Sequence, residues 1–192
     1  MKLFSLEHSV WAYRLDAALY GGGSIMLAGY LLVAAPDSQQ LVLAAFTLLG
    51  LTSWTMIEYF LHRFILHGLA PFKIWHAKHH HRPTALICTP TVLSASLIGM
   101  LIFLPAWVIS DLWRSSAFTL GILLGYLIYT LTHHGVHHWR TDNTWLKRRK
   151  HWHALHHRNA HLLSDDQTAT TGHFGVTTAF WDHVFNHPLI KR

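Results

Sequence analysis

Long stretches without a charged side chain alternate with short charged stretches along the chain. Four windows of 18 to 28 residues contain no Asp, Glu, Lys or Arg: 17–36, 38–57, 83–110 and 115–132. A helix needs about 20 apolar residues to cross the hydrocarbon core of a bilayer. The pattern therefore predicts four transmembrane helices, at about 17–36, 40–60, 86–109 and 115–132. Pro105 is expected to kink or end the third of them.

The composition agrees with a membrane protein. Of the 192 residues, 51% are hydrophobic and 12% are charged, whereas a soluble domain carries roughly 25% charged residues. This excludes a disordered tail and an ordinary soluble enzyme, and the single Cys excludes a disulfide framework and a cysteine-based zinc site. We expect an all-α integral membrane protein whose residues 1–192 form one domain, with the four helices arranged as two hairpins.

The basic residues indicate an orientation. Of the 15 Lys and Arg residues, only Arg114 falls in the predicted loops 36–40 and 110–116, which leaves 15 − 1 = 14 on the other side. Basic residues concentrate in cytoplasmic loops, so both termini are predicted to be cytoplasmic. The basic run at 147–150 is explained most simply by anionic lipid, and no nucleic-acid partner is expected.

Histidine is the second anomaly of the composition. The chain has 19 histidines, of which 14 lie in the two segments 62–81 and 133–157. These segments follow the second and fourth predicted spans, so two helical hairpins would bring both to the cytoplasmic surface. We therefore expect a histidine-rich helical cap there, formed by residues of about 61–84 and 133–185.

The spacing of these histidines is typical of metal ligands. His76-x-x-His79-His80 and His153-x-x-His156-His157 place three rings at helical offsets of three and four, which share a helix face. His133 and His137 also share a face, although His134 and His138 have the same spacing. His62 and His67 are five apart, about 140° around a regular helix. They reach either different metals or one metal from a helix that unwinds near His67.

The selected set contains ten histidines: 62, 67, 76, 79, 80, 133, 137, 153, 156 and 157. Zinc takes four ligands, and ten ligands are too many for any single ion. Two ions with about five ligands each fit six-coordinate iron with one open position, although zinc could occupy the same sites in a purified sample. Glu58 lies four residues before His62, so its carboxylate could orient that ring. Such a centre at a membrane surface suits oxidation of lipid chains by O₂.

The same residues resemble a known family. The stretch Trp54–His67 (WTMIEYFLHRFILH) is similar to the first histidine box of fatty-acid 2-hydroxylases, in the fatty acid hydroxylase/sterol desaturase superfamily. The segments resembling the second, third and fourth boxes and the characteristic ending are His76–His80, Tyr129–His137, His153–His157 and Phe174–Asp182.

The resemblance implies a four-span fold, two irons held by the ten box histidines, and O₂-dependent hydroxylation of a lipid acyl chain. It favours His133 and His137 over His134 and His138, and it places Tyr129 and Thr130 beside the site. Thr130 stands where eukaryotic fatty-acid 2-hydroxylases usually have Asp. We find no cytochrome b5 motif, so electrons are expected from a separate cytochrome b5, ferredoxin or reductase. These features favour a bacterial inner membrane over the endoplasmic reticulum.

Two other functions are compatible with parts of this pattern. A sterol or carotenoid oxidase or desaturase of the same superfamily would share the histidine boxes. A metal transporter or storage protein would also need many histidines, but a transporter binds its ions near the middle of the membrane, whereas these boxes lie at the ends of the spans.

Overall fold

The computed structural model describes residues 7–86, 89–162 and 172–185, with only the helical backbone at 159–162. All the secondary-structure elements in this part of the chain are helices, which confirms the all-α prediction. The α-helices are α1 Val10–Ala34, α2 Gln40–Phe60, α3 Phe72–His81, α4 Thr91–Ile98, α5 Leu104–Ile109, α6 Leu112–His138, α7 Thr144–Leu162 and α8 Phe180–Val184. A short 3₁₀ turn precedes α2, and π-helical segments occur at Leu61–Leu66 and Gly99–Phe103.

Four helical stretches are long and apolar enough to cross a membrane, as predicted. They are Val10–Ala34, Asp37–Leu66, Thr91–Ile109 and Leu112–His138. Their surfaces expose large apolar side chains such as Ile25, Val33 and Val108, which are 75%, 88% and 83% exposed. Exposed large apolar side chains of this kind are expected where a helix faces lipid rather than water.

The helix bounds differ from the predicted spans for local reasons. The first helix begins at Val10 rather than near residue 17, because the side chain of Ser9 accepts a hydrogen bond from the backbone of Ala12 and caps it. The third stretch begins at Thr91, after Pro90, rather than at 86. It does not end at Pro105, because the π-helical segment Gly99–Phe103 precedes the proline and the helix resumes to Ile109. Such a widened turn is one way for a helix to accommodate a missing backbone N–H.

The chain divides into two compact units: residues 1–54 with 86–127, and residues 55–85 with 128–192. In the first unit, α2 and α6 approach closely at two glycines, because a Cβ added to Gly50 or Gly121 would collide with the carbonyl of Phe118 or Thr47. The buried apolar core of this unit contains Leu31, Ala35, Leu43, Ala117 and Leu120.

Polar side chains also tie the first unit together. The hydroxyl of Thr91 donates to the buried carboxylate of Asp16, and the hydroxyls of Tyr20 and Ser94 lie 2.6 Å apart. Both contacts join α1 to α4. Their polar groups are therefore paired, as buried polar groups usually are.

Candidate metal centre

All ten selected histidines belong to the second unit, and five of them form one cluster. The first cluster consists of His62, His67, His76, His80 and His156, each offering a ring nitrogen within 4.8 Å of the others. Its members come from the π-helical segment after α2, from the loop that follows it, from α3 and from α7.

The π-helical segment explains how His62 and His67 reach the same cluster. A π-helix forms hydrogen bonds between residues i and i+5, so side chains five apart lie nearly above one another. The segment Leu61–Leu66 therefore aligns the two rings, whose centroids are 5.3 Å apart. The helix widens and then ends at Leu66, directly before His67, and both rings lie in one cluster. This agrees with the alternative of a helix that unwinds near His67, although the spacing did not show that the last turn is widened.

The second cluster consists of His79, His133, His137 and His153, whose ring nitrogens meet the same 4.8 Å limit. The register left open by the spacing is resolved in its geometry. His133 and His137 lie in the cluster, whereas the rings of His134 and His138 stack on each other, 4.4 Å apart, outside both clusters.

The tenth histidine, His157, lies beside the second cluster. Its Nε2 is 3.0 Å from the Nε2 of His153, and its ring stacks on that of His80 at 4.2 Å. Both three-histidine boxes are thus divided between the clusters. His76 and His80 go to the first and His79 to the second, while His156 goes to the first and His153 to the second.

Burial keeps these rings uncharged. Removal from water is the main cause that lowers the pKa of His67 to about 3 and that of His79 to about 2. The pKa values of His76, His153 and His156 also lie well below the ordinary value, mainly through burial and then through neighbouring histidines. Neutral imidazole is the form that binds metal.

The hydrogen bonds of two rings fix which nitrogen is free to bind. The Nδ1 of His62 donates to the carbonyl of Phe174 at 2.5 Å, and the Nδ1 of His156 donates to the carbonyl of Gly172 at 2.9 Å. Their Nε2 atoms therefore carry lone pairs, yet they face the Nε2 atoms of His76 and His67 at 3.0 and 3.1 Å. Converging lone pairs of neutral rings fit a cation between them.

The second cluster shows the same fit in another way. Neither ring nitrogen of His79 has a hydrogen-bond partner among the described residues, although the side chain is buried. Buried polar atoms are almost always paired. Its ring centroid lies 4.8 Å from those of both His133 and His137. A metal ion coordinated by these rings would satisfy one of the two orphaned nitrogens of His79.

The residues 172–178, which we call the bracing segment, hold the first cluster from outside. The sequence suggested that the carboxylate of Glu58 orients His62 directly, but its hydrogen bonds go to the bracing segment instead. The Glu58 carboxylate accepts hydrogen bonds from the backbone of Val176 and Thr177 at 2.7 and 2.9 Å, and from the Thr177 hydroxyl. It thereby positions the segment whose Phe174 carbonyl orients His62.

Asp182 holds the same segment from the other side. Its fully buried carboxylate accepts from the backbone N–H groups of Phe174 and Gly175, at 2.9 and 3.0 Å. The motif Phe174–Asp182 was visible in the sequence, but its contribution to ligand orientation could not be derived from it. Tyr129 stacks on His133 with centroids 5.8 Å apart, and Thr130 follows it in α6, partly buried.

Comparisons with known proteins identify the family of the chain. The fatty acid hydroxylase family model matches residues 47–187. The chain is 32% identical over 163 residues to the ceramide very long chain fatty acid hydroxylase scs7 of Schizosaccharomyces pombe, covering 75% of this chain and 42% of that protein. It is 30% identical over 151 residues to the dihydroceramide fatty acyl 2-hydroxylase FAH2 of Arabidopsis thaliana, covering 71% and 57%.

A solved structure shows the same fold. The structure of full-length scs7p, in which only the hydroxylase domain is visible, superposes with a TM-score of 0.75 at 24% identity, covering 91% of this chain and 66% of that one. The chain spans about half the length of the relatives described above, 42% and 57%. Because the family model covers most of the chain, including all ten box histidines, this protein belongs to the fatty acid hydroxylase family.

Proposed function

We propose that this protein is a membrane-bound, O₂-dependent di-iron hydroxylase of a lipid acyl chain. The single observation that carries the proposal is the pair of buried, neutral histidine clusters in one compact unit. The relatives support the substrate class, because their names describe hydroxylation of fatty acyl groups in ceramides and dihydroceramides. Position 2, next to the acyl carbonyl, is the carbon that we propose is oxidised.

We assign the ten histidines to two irons. His62, His67, His76, His80 and His156 bind one ion, and His79, His133, His137, His153 and His157 bind the other. Five neutral nitrogens per ion leave one position of a six-coordinate iron open, whereas zinc would need only four ligands. Bound iron, together with O₂, two electrons and two protons, supplies the chemistry that converts a C–H bond into C–OH and releases water.

The chain's own residues prepare this site in four ways. Burial keeps the imidazoles neutral and excludes water. The carbonyls of Phe174 and Gly172 fix the tautomers of His62 and His156, which raises the basicity of the ligand nitrogens. Glu58 and Asp182 hold the bracing segment in place, so that those carbonyls remain aimed at the rings. Tyr129 supports the second cluster by stacking on His133.

The proposal includes a place in the cell and a source of electrons. The bias of 14 among 15 basic residues supports N- and C-termini in the cytoplasm, with the clusters on that face. Electrons come from a separate donor: cytochrome b5, a ferredoxin or a reductase. We place the protein in a bacterial inner membrane.

Comparison of whole-cell lipids tests the proposal. Cells expressing the wild-type chain with iron and a reductase should accumulate acyl lipids heavier by one oxygen. His156→Ala and His79→Ala should abolish this product, whereas His151→Ala, an exposed histidine of the same α7, should leave it unchanged. Loss of two hydrogens without gain of oxygen would instead identify a desaturase. No change in any lipid would refute the hydroxylase and favour metal storage or transport.

A further inference from the structure

A buried cation lies outside the two clusters and has no role in the proposed metal chemistry. Arg149, on α7 four residues before His153, is only 7% exposed. Its guanidinium carbon lies 4.4 Å from the ring centroid of Trp152, so the indole supports one face of the guanidinium. Among the described residues, its Nε and Nη1 groups have no hydrogen-bond partner.

A second orphaned group meets the same indole. His173 is 5% exposed, and its ring lies 5.7 Å from that of Trp152. Neither of its ring nitrogens has a hydrogen-bond partner among the described residues. The residue adopts a left-handed backbone conformation with φ of 56°, which residues other than glycine rarely adopt. Such strain persists where the surrounding structure imposes it, often at ligand sites.

The nearby carboxylates are already engaged. The charges of Asp182 and Glu58 act on Arg149, but the oxygens of Asp182 accept from the backbone of Phe174 and Gly175. Those of Glu58 accept from Val176 and Thr177. The salt bridges found among the described residues do not include Arg149. The guanidinium therefore keeps donors that no acid of the described structure satisfies.

A buried cation without an acidic partner is costly because it loses its hydration. A guanidinium presents its N–H groups in a planar fork that matches the two oxygens of a carboxylate or phosphate. The imidazole of His173 adds a further donor near the same indole. Together the three side chains offer hydrogen-bond donors and a positive charge. An oxyanion requires these groups, whereas the apolar body of a lipid does not.

The position of this group links it to the proposed reaction. His173 lies between Gly172 and Phe174, whose carbonyls accept from His156 and His62 of the first cluster. A ligand held by His173 would thus bind next to the backbone that orients two proposed iron ligands. The polar end of an acyl chain must also lie near the metals if the carbon beside its carbonyl is oxidised.

We propose that Arg149, Trp152 and His173 form a binding site for the oxyanion at the polar end of the acyl substrate. This inference rests on the proposed function for the identity of its ligand as substrate. The oxyanion is either the carboxylate of a free fatty acid or the phosphate of a phospholipid headgroup. An uncharged amide-linked substrate would not need the guanidinium.

Binding of radiolabelled lipids to the purified, iron-loaded full chain in neutral detergent separates these cases. Palmitate is compared with methyl palmitate, and dipalmitoyl phosphatidate with dipalmitoylglycerol, at about pH 9, where both acids are ionised. The wild type should bind one anion at least about tenfold more tightly than its neutral counterpart, and the pair that shows this preference identifies the source. Arg149→Met should abolish the preference, whereas Arg148→Met, at an exposed neighbour, should retain it.

Two further variants keep the test decisive. Arg149→Lys should retain part of the preference, because it keeps the charge and loses the fork. His173→Gln should weaken it by a few fold if Arg149→Met does not fold. Equal binding of anion and neutral lipid by the wild type, or an unchanged preference in Arg149→Met, would overturn the proposal. Lipid extracts without added oxygen but with an intact anion preference would refute the hydroxylase and leave the anion site standing.

Discussion

The two histidine clusters differ in what holds their rings. In the first, His62 and His156 donate to the carbonyls of Phe174 and Gly172, which belong to a segment held by Glu58 and Asp182. In the second, His79 and the Nδ1 of His153 have no hydrogen-bond partner among the described residues. His133 and His137 of that cluster lie one turn apart on the continuous helix α6.

This difference teaches that the clusters depend on different parts of the chain. The first needs a widened helical turn and contacts between residues as much as 119 positions apart, such as Thr177 with Glu58. The second relies on regular helical spacing in α6 and on single rings from α3 and α7. Perturbing the bracing segment should therefore affect one cluster and spare the other.

The largest expected effect concerns what the clusters share, the neutrality of their rings. The pKa values of His67 and His79 fall to about 3 and about 2 through burial, against about 6.5 in the unfolded chain. Below about pH 6.5 the unfolded chain binds protons that the folded chain does not. As the pH is lowered below about 6.5, the unfolding free energy of the metal-free protein should therefore fall by about 1.4 kcal/mol per pH unit for each such histidine. Above about pH 7.5 it should not change with pH through these groups.

Denaturant unfolding in detergent from pH 8 to pH 5 measures this slope. His67→Gln and His79→Gln should each reduce the slope by the amount that corresponds to one proton bound on unfolding, about 1.4 kcal/mol per pH unit. His151→Gln, at an exposed position, should change the slope little. A slope that does not change in either cluster variant would show that these rings are not buried in the neutral form.

The next effect separates the clusters through Asp182. Asp182→Ala removes the carboxylate that accepts from the buried N–H groups of Phe174 and Gly175, and each lost hydrogen bond costs about 1–3 kcal/mol. We expect the unfolding free energy to fall by about 2 kcal/mol or more, and iron at the first cluster to bind less tightly. Asp142→Ala, at an exposed carboxylate that contacts Lys147, is the matched control and should change stability by less than about 0.5 kcal/mol.

The smallest effect is predicted for Glu58→Gln. The amide keeps the size of the side chain but replaces one acceptor oxygen by a donor that faces N–H or O–H groups of the bracing segment. Partners that orient metal ligands typically contribute about 10–100-fold to affinity. Iron titration should show a loss in that range at the first cluster only; an equal loss at both clusters would remove the distinction between them.

The sequence predicted the four spans and the family, because both depend on local patterns. Charge-free windows identify apolar helices, and offsets of three and four identify rings on one helix face. Helix starts were displaced where a cap such as Ser9 lay outside the window. The compact division into two units was also not visible in the pattern.

Other features depend on tertiary structure and could not be predicted. The π-helical turn at Leu61–Leu66 has no signal in the spacing of His62 and His67 beyond the misfit itself. The division of each three-histidine box between clusters follows from the packing of α3, α6 and α7. The partners of Glu58 lie in a segment more than 100 residues away, so the carboxylate could be recognised as functional but not assigned its contacts.

The central claim is that each cluster binds one iron. The most direct test counts iron per folded chain by mass spectrometry after anaerobic loading of the wild type, His156→Ala and His79→Ala. We predict about two ions in the wild type and about one in each variant, with none in the double variant. Single variants that both retain the wild-type iron content, or a wild type that binds one ion or none, would contradict the account.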